Sequence, residues 1–246
     1  MNVVVFGGTA GIGRAIAQQL AERGDRVCLL GRDEASLAKS VADLTARQPS
    51  QQVATSAVCD LEKPETFAPA LDAAAQALGG FEAVIVTAAM FATQDALEAD
   101  VELTRRLTTA NYANTVTFCE HARTRLLARG GGWLTVLSSV AGDRGRKPVA
   151  IYGSSKAGLS TYLEALDHKF REKGLWVLCV KPGFVKTGMT AGLKPPPFAG
   201  EPDQVARDVL RAMDRKKPLI YTPGIWALVM LVIRNLPRVV MRKIGF

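Results

Sequence analysis

Asn2-Val3-Val4-Val5-Phe6-Gly7-Gly8-Thr9-Ala10-Gly11-Ile12-Gly13-Arg14-Ala15-Ile16-Ala17 sets an apolar strand, a glycine-punctuated turn and an amphipathic helix end to end. The unbroken apolar run reads as a strand covered on both faces, as strands of parallel sheets are. Gly7, Gly11 and Gly13 let the turn tighten, let main chain approach a diphosphate, and let the helix pack against the strand. The helix that follows offers free N–H groups and a positive dipole end to an anion. Thr9 and Ile12 lie within the same turn and are expected to join the glycines in that contact. Glycines alone also make a plain tight turn, so the weight comes from the strand before them and the helix after.

The same alternation continues outward. Runs rich in Val, Ile and Leu near 2–6, 26–30, 53–58, 83–86, 132–138, 175–180 and 218–221 are separated by longer stretches of helical period. That pattern predicts an α/β fold with a doubly wound parallel sheet of seven strands and helices on both faces. Right-handed crossovers then place a ligand outside the carboxyl ends of the strands. A chain of 246 residues accommodates one such domain. Residues 1–223 read as its dinucleotide-binding and catalytic body. Residues 224–246 read as an apolar, then basic segment that belongs to the same domain or extends it. Gly192 to Gly200 contains three consecutive prolines, which cannot be helical, and reads as a stiff loop beside the active-site mouth.

Hydrophobic content of 48% and charged content of 22% exclude disordered, collagen-like and disulfide-scaffold classes. Cys28, Cys59, Cys119 and Cys179 are far apart and sit mostly in apolar runs, so buried reduced thiols are expected, with no metal site. No basic region and small-residue cleavage site precede the first strand, so a cytoplasmic protein is expected.

Three further residues extend the ligand reading. The second strand ends in Leu30-Gly31-Arg32, where an acidic residue would hold a ribose 2′-hydroxyl. Arg32 suits a 2′-phosphate and favours NADP(H), while adjacent Asp33, a helix N-cap by position, keeps NAD(H) open. Asp60-Leu61, past the third strand, offers an acceptor to an adenine amino group. Ala88, in Thr87-Ala88-Ala89, gives a small-residue strand end against which a ring can lie.

Trp133 to Leu137 leads into Ser138-Ser139, and Tyr152 and Lys156 follow at helical spacing. Residues i and i+4 share a helix face, so the Lys156 ammonium can approach the Tyr152 phenol. A nearby cation favours phenolate and draws its pKa toward operating pH, which suits proton exchange with a substrate oxygen. Ser139 can donate to that same oxygen as charge develops. His121 and His168 fall in helical stretches and there is no Gly-x-Ser-x-Gly elbow, so serine hydrolase chemistry is disfavoured.

In this order the residues resemble the short-chain dehydrogenase/reductase family, from Asn2 to about Thr190. The resemblance rests on the glycine turn, Asp60, Asn111, Ser139, Tyr152-Gly153-Ser154-Ser155-Lys156 and Lys181-Pro182-Gly183-Phe184-Val185-Lys186-Thr187. It implies a Rossmann-type fold and hydride transfer between a nicotinamide cofactor and a carbonyl carbon, in a homodimer or homotetramer. It implies that Asn111 holds a water relaying protons to Lys156, that Pro182, Gly183 and Thr187 close on the nicotinamide, and that the Val185 main chain faces its carboxamide. Phe6 stands where the family has threonine, and Thr87-Ala88-Ala89 replaces an Asn-containing motif, so support behind the cofactor must differ. A small ketone or a 3-oxoacyl group remains an alternative substrate, and a dinucleotide-sensing protein without chemistry an alternative function.

Net charge is +8, and Arg215 to Phe246 holds seven Lys/Arg and no Asp or Glu, so the excess is C-terminal. Ile225 to Ile233 is apolar but too short to span a bilayer. At helical spacing Arg234, Arg238 and Arg242 would share one face, with Leu236, Val239, Val240 and Ile244 on another. Such a segment suits an anionic membrane surface, reached peripherally from the cytoplasmic side. The bland alternative is a core or subunit-interface helix with solvated arginines. Lacking interleaved aromatics, the tail is not expected to bind nucleic acid. More weakly, this end of the chain resembles reductases of polyprenyl-phosphate-linked keto-pentoses, of the decaprenylphosphoryl-2-keto-ribose type, which implies a lipid-linked substrate.

Overall fold

The computed structural model describes residues 1–49 and 53–244. Seven strands, β1 (Asn2–Phe6), β2 (Arg26–Gly31), β3 (Thr55–Val58), β4 (Ala83–Val86), β5 (Gly132–Leu137), β6 (Leu175–Pro182) and β7 (Leu219–Thr222), form one sheet. Their order is β3-β2-β1-β4-β5-β6-β7, and every pairing is parallel. The chain builds outward from β1 in one direction and then from β4 in the other, so a crevice opens at the carboxyl ends of β1 and β4.

The helices are α1 (Gly11–Glu22), α2 (Glu34–Arg47), α3 (Phe67–Leu78), α4 (Gln94–Ala99), α5 (Val101–Thr108), α6 (Thr115–Ala128), α7 (Ala150–Phe170), α8 (Pro202–Asp214), α9 (Ile225–Asn235) and α10 (Arg238–Lys243). Successive side chains of a strand point to opposite faces. Val4 and Phe6 accordingly enter one core with residues of α3, α6 and α7, while Val3 and Val5 enter the other with residues of α1 and α8. Phe6 packs against Phe118 at 4.7 Å and against Phe67 at 6.3 Å between ring centroids. Burying a phenyl ring fully stabilises by about 1.5–3 kcal/mol. The aromatic side chain before the glycine turn therefore anchors β1 to α3 and α6.

The expected strands are all present, with small shifts of boundary. β3 starts at Thr55 rather than 53, and β6 runs on through Lys181 and Pro182 because β7 pairs Lys181 with Tyr221 and Pro182 with Thr222. Proline lacks an N–H but is tolerated at a strand end.

The tail departs from the expected single amphipathic helix. Leu236 is extended, with ψ 136°, and Pro237 follows it, so α9 stops and α10 starts anew at Arg238. Proline clashes with a helical conformation in the residue before it, which breaks the helix at this point. Arg234 thus lies on one helix and Arg238 and Arg242 on the next; Gly245 and Phe246 lie outside the described residues. No helix among the described residues is long and apolar enough to cross a membrane.

Candidate active site

The glycine turn closes against the start of the β4 loop. A Cβ on Gly7, which has φ +90°, would lie 2.6 Å from both Ala88 N and Thr87 Oγ1, and a Cβ on Gly13 would overlap the Gly7 carbonyl. Thr87 Oγ1 donates to Phe6 O at 3.0 Å, and Ala88 N donates to the same oxygen at 3.1 Å. The Thr87 hydroxyl thus ties the end of β4 to the end of β1. Helix α1 begins with no side-chain cap, unlike α2, α4 and α5, which are capped by Asp33, Thr93 and Asp100. Uncapped N–H groups at the glycine turn suit an anionic ligand. Arg14 braces the turn through Thr9 O, at 2.6 and 3.0 Å, and Ile12 packs on the core beneath.

At the end of β2, Arg32 is exposed. Asp33 accepts from Ser36 N at 2.7 Å, and the Ser36 hydroxyl together with this N–H holds its carboxyl below the usual range. The acidic neighbour is therefore committed to capping α2, while Arg32 is in no ion pair with any described residue. Asp60 is half-buried and spends one oxygen on Glu62 N at 3.0 Å. Leu61 turns into the core, and its carbonyl accepts from Asn114 at 2.8 Å, so its side chain is not available to a ligand.

Two glycines bring the Ser139 loop onto the helix of Tyr152 and Lys156. A Cβ on Gly142 would lie 2.6 Å from Ala157 N, and one on Gly153 would lie 2.7 Å from Ala141 O. Ser139 Oγ accepts from Ala141 N, which orients the hydroxyl at the strand end. Lys156 is only 2% exposed, donates to Leu137 O at 3.0 Å, and lies 5.9 Å from the centre of the Tyr152 ring. Burial pushes the Tyr152 phenol up to about 12, an effect the Ser139 hydroxyl partly offsets, and burial lowers the Lys156 ammonium to about 8. The expected lowering of the phenol is absent from the protein alone, because burial disfavours phenolate, and the ammonium donates to Leu137 O.

Asn111 is fully buried in a π-helical turn, Thr109–Asn114, between α5 and α6. Its amide is spent twice on one residue, accepting from Met90 N at 2.7 Å and donating to Met90 O at 2.8 Å. These two bonds leave the amide a second N–H and a second lone pair, so a water at this position can be held by the side chain as well as by the main chain. The clamp fixes the loop carrying Phe91, whose ring meets Tyr152 edge-on at 5.3 Å.

At the end of β6, Pro182 is buried, and Gly183 after it lies against Trp226, whose indole would overlap any Cβ there. Phe184 O and Lys186 N bond to Gly200, which turns the Val185 N–H and C=O to the opposite side. The Thr187 methyl lies 3.3 Å from where a Cβ on Gly11 would be, so this segment folds back over the glycine turn. Beneath it, Asp143 accepts from Lys181 Nζ at 2.6 Å and from Tyr221 OH at 2.7 Å. Burial alone would lower the Lys181 ammonium; the Asp143 carboxylate more than reverses that. The four cysteines are all buried, and burial raises every thiol above its ordinary value.

Sequence reasoning passed over Thr87 as a support, along with Phe91, Asp143, Gly142, Gly153 and Trp226. Only the two glycines carried a local signal, since each breaks an otherwise ordinary strand end or helix.

A glycine cradle at the first strand, beside a serine, tyrosine and lysine at the carboxyl edge of the sheet, defines a dinucleotide-dependent oxidoreductase. The family model described as short chain dehydrogenase matches residues 1–197, and the chain belongs to that family. It is thus an oxidoreductase of the kind acting between CH–OH and C=O, in a family that binds NAD(P)(H). An uncharacterized oxidoreductase of Mycobacterium tuberculosis is 30% identical, across 98% of this chain and 96% of the relative. Carbonyl reductase family member 4 of Xenopus tropicalis is 29% identical, across 84% of this chain and 88% of the relative. The solved structure of a short-chain type dehydrogenase/reductase from Mycobacterium ulcerans superposes with a TM-score of 0.80 at 23% identity, covering 89% of this chain and 86% of that one. It shows the same Rossmann-like fold.

Proposed function

We propose that the protein interconverts a ketone and a secondary alcohol with NADP(H), Tyr152 serving as proton donor or acceptor. The observation that carries this reading is the glycine-mediated approach of the Ser139 loop to the helix bearing Tyr152 and Lys156, next to the cradle at Gly7, Gly11 and Gly13. NADP(H) held across that cradle would supply or take the hydride. Thr9 and Ile12 would join the glycines at the diphosphate, and Asp60 and Ala88 would lie along the adenosine half, with Leu61 contributing main chain only. Arg32 would hold the 2′-phosphate, while Pro182, Gly183, Val185 and Thr187 would hold the nicotinamide half. Ser139 donates to the carbonyl oxygen and Tyr152 delivers the proton; burial that keeps the phenol protonated at neutral pH suits the reductive direction. Lys156, with its ammonium free to release a proton near neutral pH, replenishes it. The Asn111 side chain holds the Phe91 loop, and Asn111 is the residue that would hold a relay water beside Lys156.

The substrate we favour carries an apolar chain, as a polyprenyl-phosphate-linked keto-sugar does, in a cytoplasmic protein. Exposed Met189 and Phe198 in the stretch after β6 support this over a small ketone or 3-oxoacyl group. Residues 224–246 are taken as part of the catalytic domain, because α9 supplies Trp226 beside Gly183. The test is NADPH consumption across a ketone panel that includes prenyl-phosphate keto-sugars. Tyr152→Phe is expected to lower kcat by roughly a hundredfold or more with NADPH binding retained; a variant with full turnover refutes the assignment.

A further inference from the structure

The C-terminal helices direct more apolar surface outward than inward. On α9, Trp226, Met230 and Ile233 pack with Val140, while Leu228 (59% exposed), Leu231 (57%) and Val232 (56%) face solvent. Val239 and Val240 on α10 are exposed as well, and so is Phe198, held at the N-terminal end of α9 by Trp226 Nε1 donating to its carbonyl. Single exposed apolar residues are ordinary, but a set this dense on two consecutive short helices marks an interaction face.

Its charge is one-sided. Arg234, Arg238, Arg242 and Lys243 are exposed on the same two helices, no acidic residue occurs from Arg215 onward, and none of these cations is in an ion pair with a described residue. The helices are also tied to the loop between Ser139 and Tyr152. Arg144 donates to Leu236 O at 2.9 Å and Lys147 Nζ donates to Arg242 O at 2.7 Å. Both carbonyls lie at helix C-terminal ends, where the dipole favours a cation. Between them is Arg146, whose buried Nε has no hydrogen-bond partner.

We propose that this face docks on an anionic lipid bilayer. Helices α9 and α10 lie flat in the interface, with Leu228, Leu231, Val232 and Val239 among the acyl chains and Arg238, Arg242 and Lys243 at the headgroups. The loop between Ser139 and Tyr152 is fastened to these helices and is carried to the membrane with them. A second copy of the chain fits the face poorly, since a two-fold contact repeats the same patch on both sides and would set like charges against each other with no carboxylate between. An 11-residue helix is too short to cross the bilayer, so it can only lie upon it.

Deleting the tail would strip Trp226 from Gly183 and damage the pocket, so outward-facing substitutions are the proper test. The full chain is sedimented with vesicles of equal parts phosphatidylcholine and phosphatidylglycerol, with pure phosphatidylcholine vesicles in parallel. Binding to the anionic vesicles alone is expected, weakening with added salt. Leu228→Ser/Leu231→Ser/Val232→Ser should lower it roughly tenfold or more, and so should Arg238→Gln/Arg242→Gln. The second pair, on exposed α10, keeps the test decisive should the first variant fail to fold. The proposal is overturned if the full chain stays in the supernatant, or if it binds neutral vesicles equally. It is also overturned if both variants bind unchanged, or if ultracentrifugation shows a dimer that the triple variant dissolves. Sedimentation requires no turnover, so its failure leaves the reductase reading intact, and loss of NADPH consumption leaves this one intact.

Discussion

Replacing Lys156 with methionine should abolish turnover yet stabilise the cofactor-free protein at neutral pH. The ammonium is almost wholly removed from water, and its pKa falls from the ordinary 10.5 to about 8 through burial. That fall corresponds to about 3 kcal/mol of penalty on the charged form in the folded chain. Methionine, of similar reach, removes the penalty but also the bond to Leu137 O, which is worth about 1.5–3 kcal/mol when the donor is charged. A net gain of about 1 kcal/mol remains. Between about pH 8 and the ordinary lysine value the unfolded chain binds a proton that the folded chain lacks, so wild-type stability rises with pH across that window. Below it, both states are protonated and the penalty stands in full. The advantage of Lys156→Met should therefore be greatest near neutrality and vanish toward about pH 10. Urea unfolding of both proteins over that range, without cofactor, measures it. A variant less stable than wild type near neutrality, or a difference that ignores pH, would refute the reasoning.

Two other outcomes follow from the same geometry. Asp143→Ala leaves the Lys181 ammonium unpaired beneath the nicotinamide segment and should cost about 3–5 kcal/mol, whereas Asp143→Leu/Lys181→Met should cost much less than its two single changes summed. Strictly additive urea midpoints would show that the pair is not coupled. Arg32→Ala should raise the KM for NADPH about tenfold, the worth of a lost charged hydrogen bond, and leave the KM for NADH nearly unchanged; equal effects on both cofactors would remove Arg32 from the 2′-phosphate.

The features legible in the sequence were those with a local rule behind them. The apolar run of β1, the spacing of the glycines and the i, i+4 relation of Tyr152 and Lys156 each follow from the period of a single element. The Thr87 hydroxyl meets Phe6 O across 81 positions, and Asp143 meets Tyr221 across 78; no periodicity records such meetings, since they exist only once the sheet has ordered its strands. Asn111 was found, but its partner was not, because spacing says nothing about which main chain a buried amide will clamp. Pro237 is the instructive miss. A proline directly after Leu236 forbids helix there, yet the regular recurrence of arginine at 234, 238 and 242 suggested a continuous one. Local sterics overrode the pattern.

Trp226 has a consequence for the order in which the protein becomes an enzyme. Its indole forms the wall beside Gly183, yet it belongs to the last tenth of the chain and follows the last strand. A nascent chain on the ribosome can have its glycine cradle and its tyrosine in place while that wall is still unsynthesised. The wall beside Gly183 is then completed only after β7 has been made, by a residue of α9.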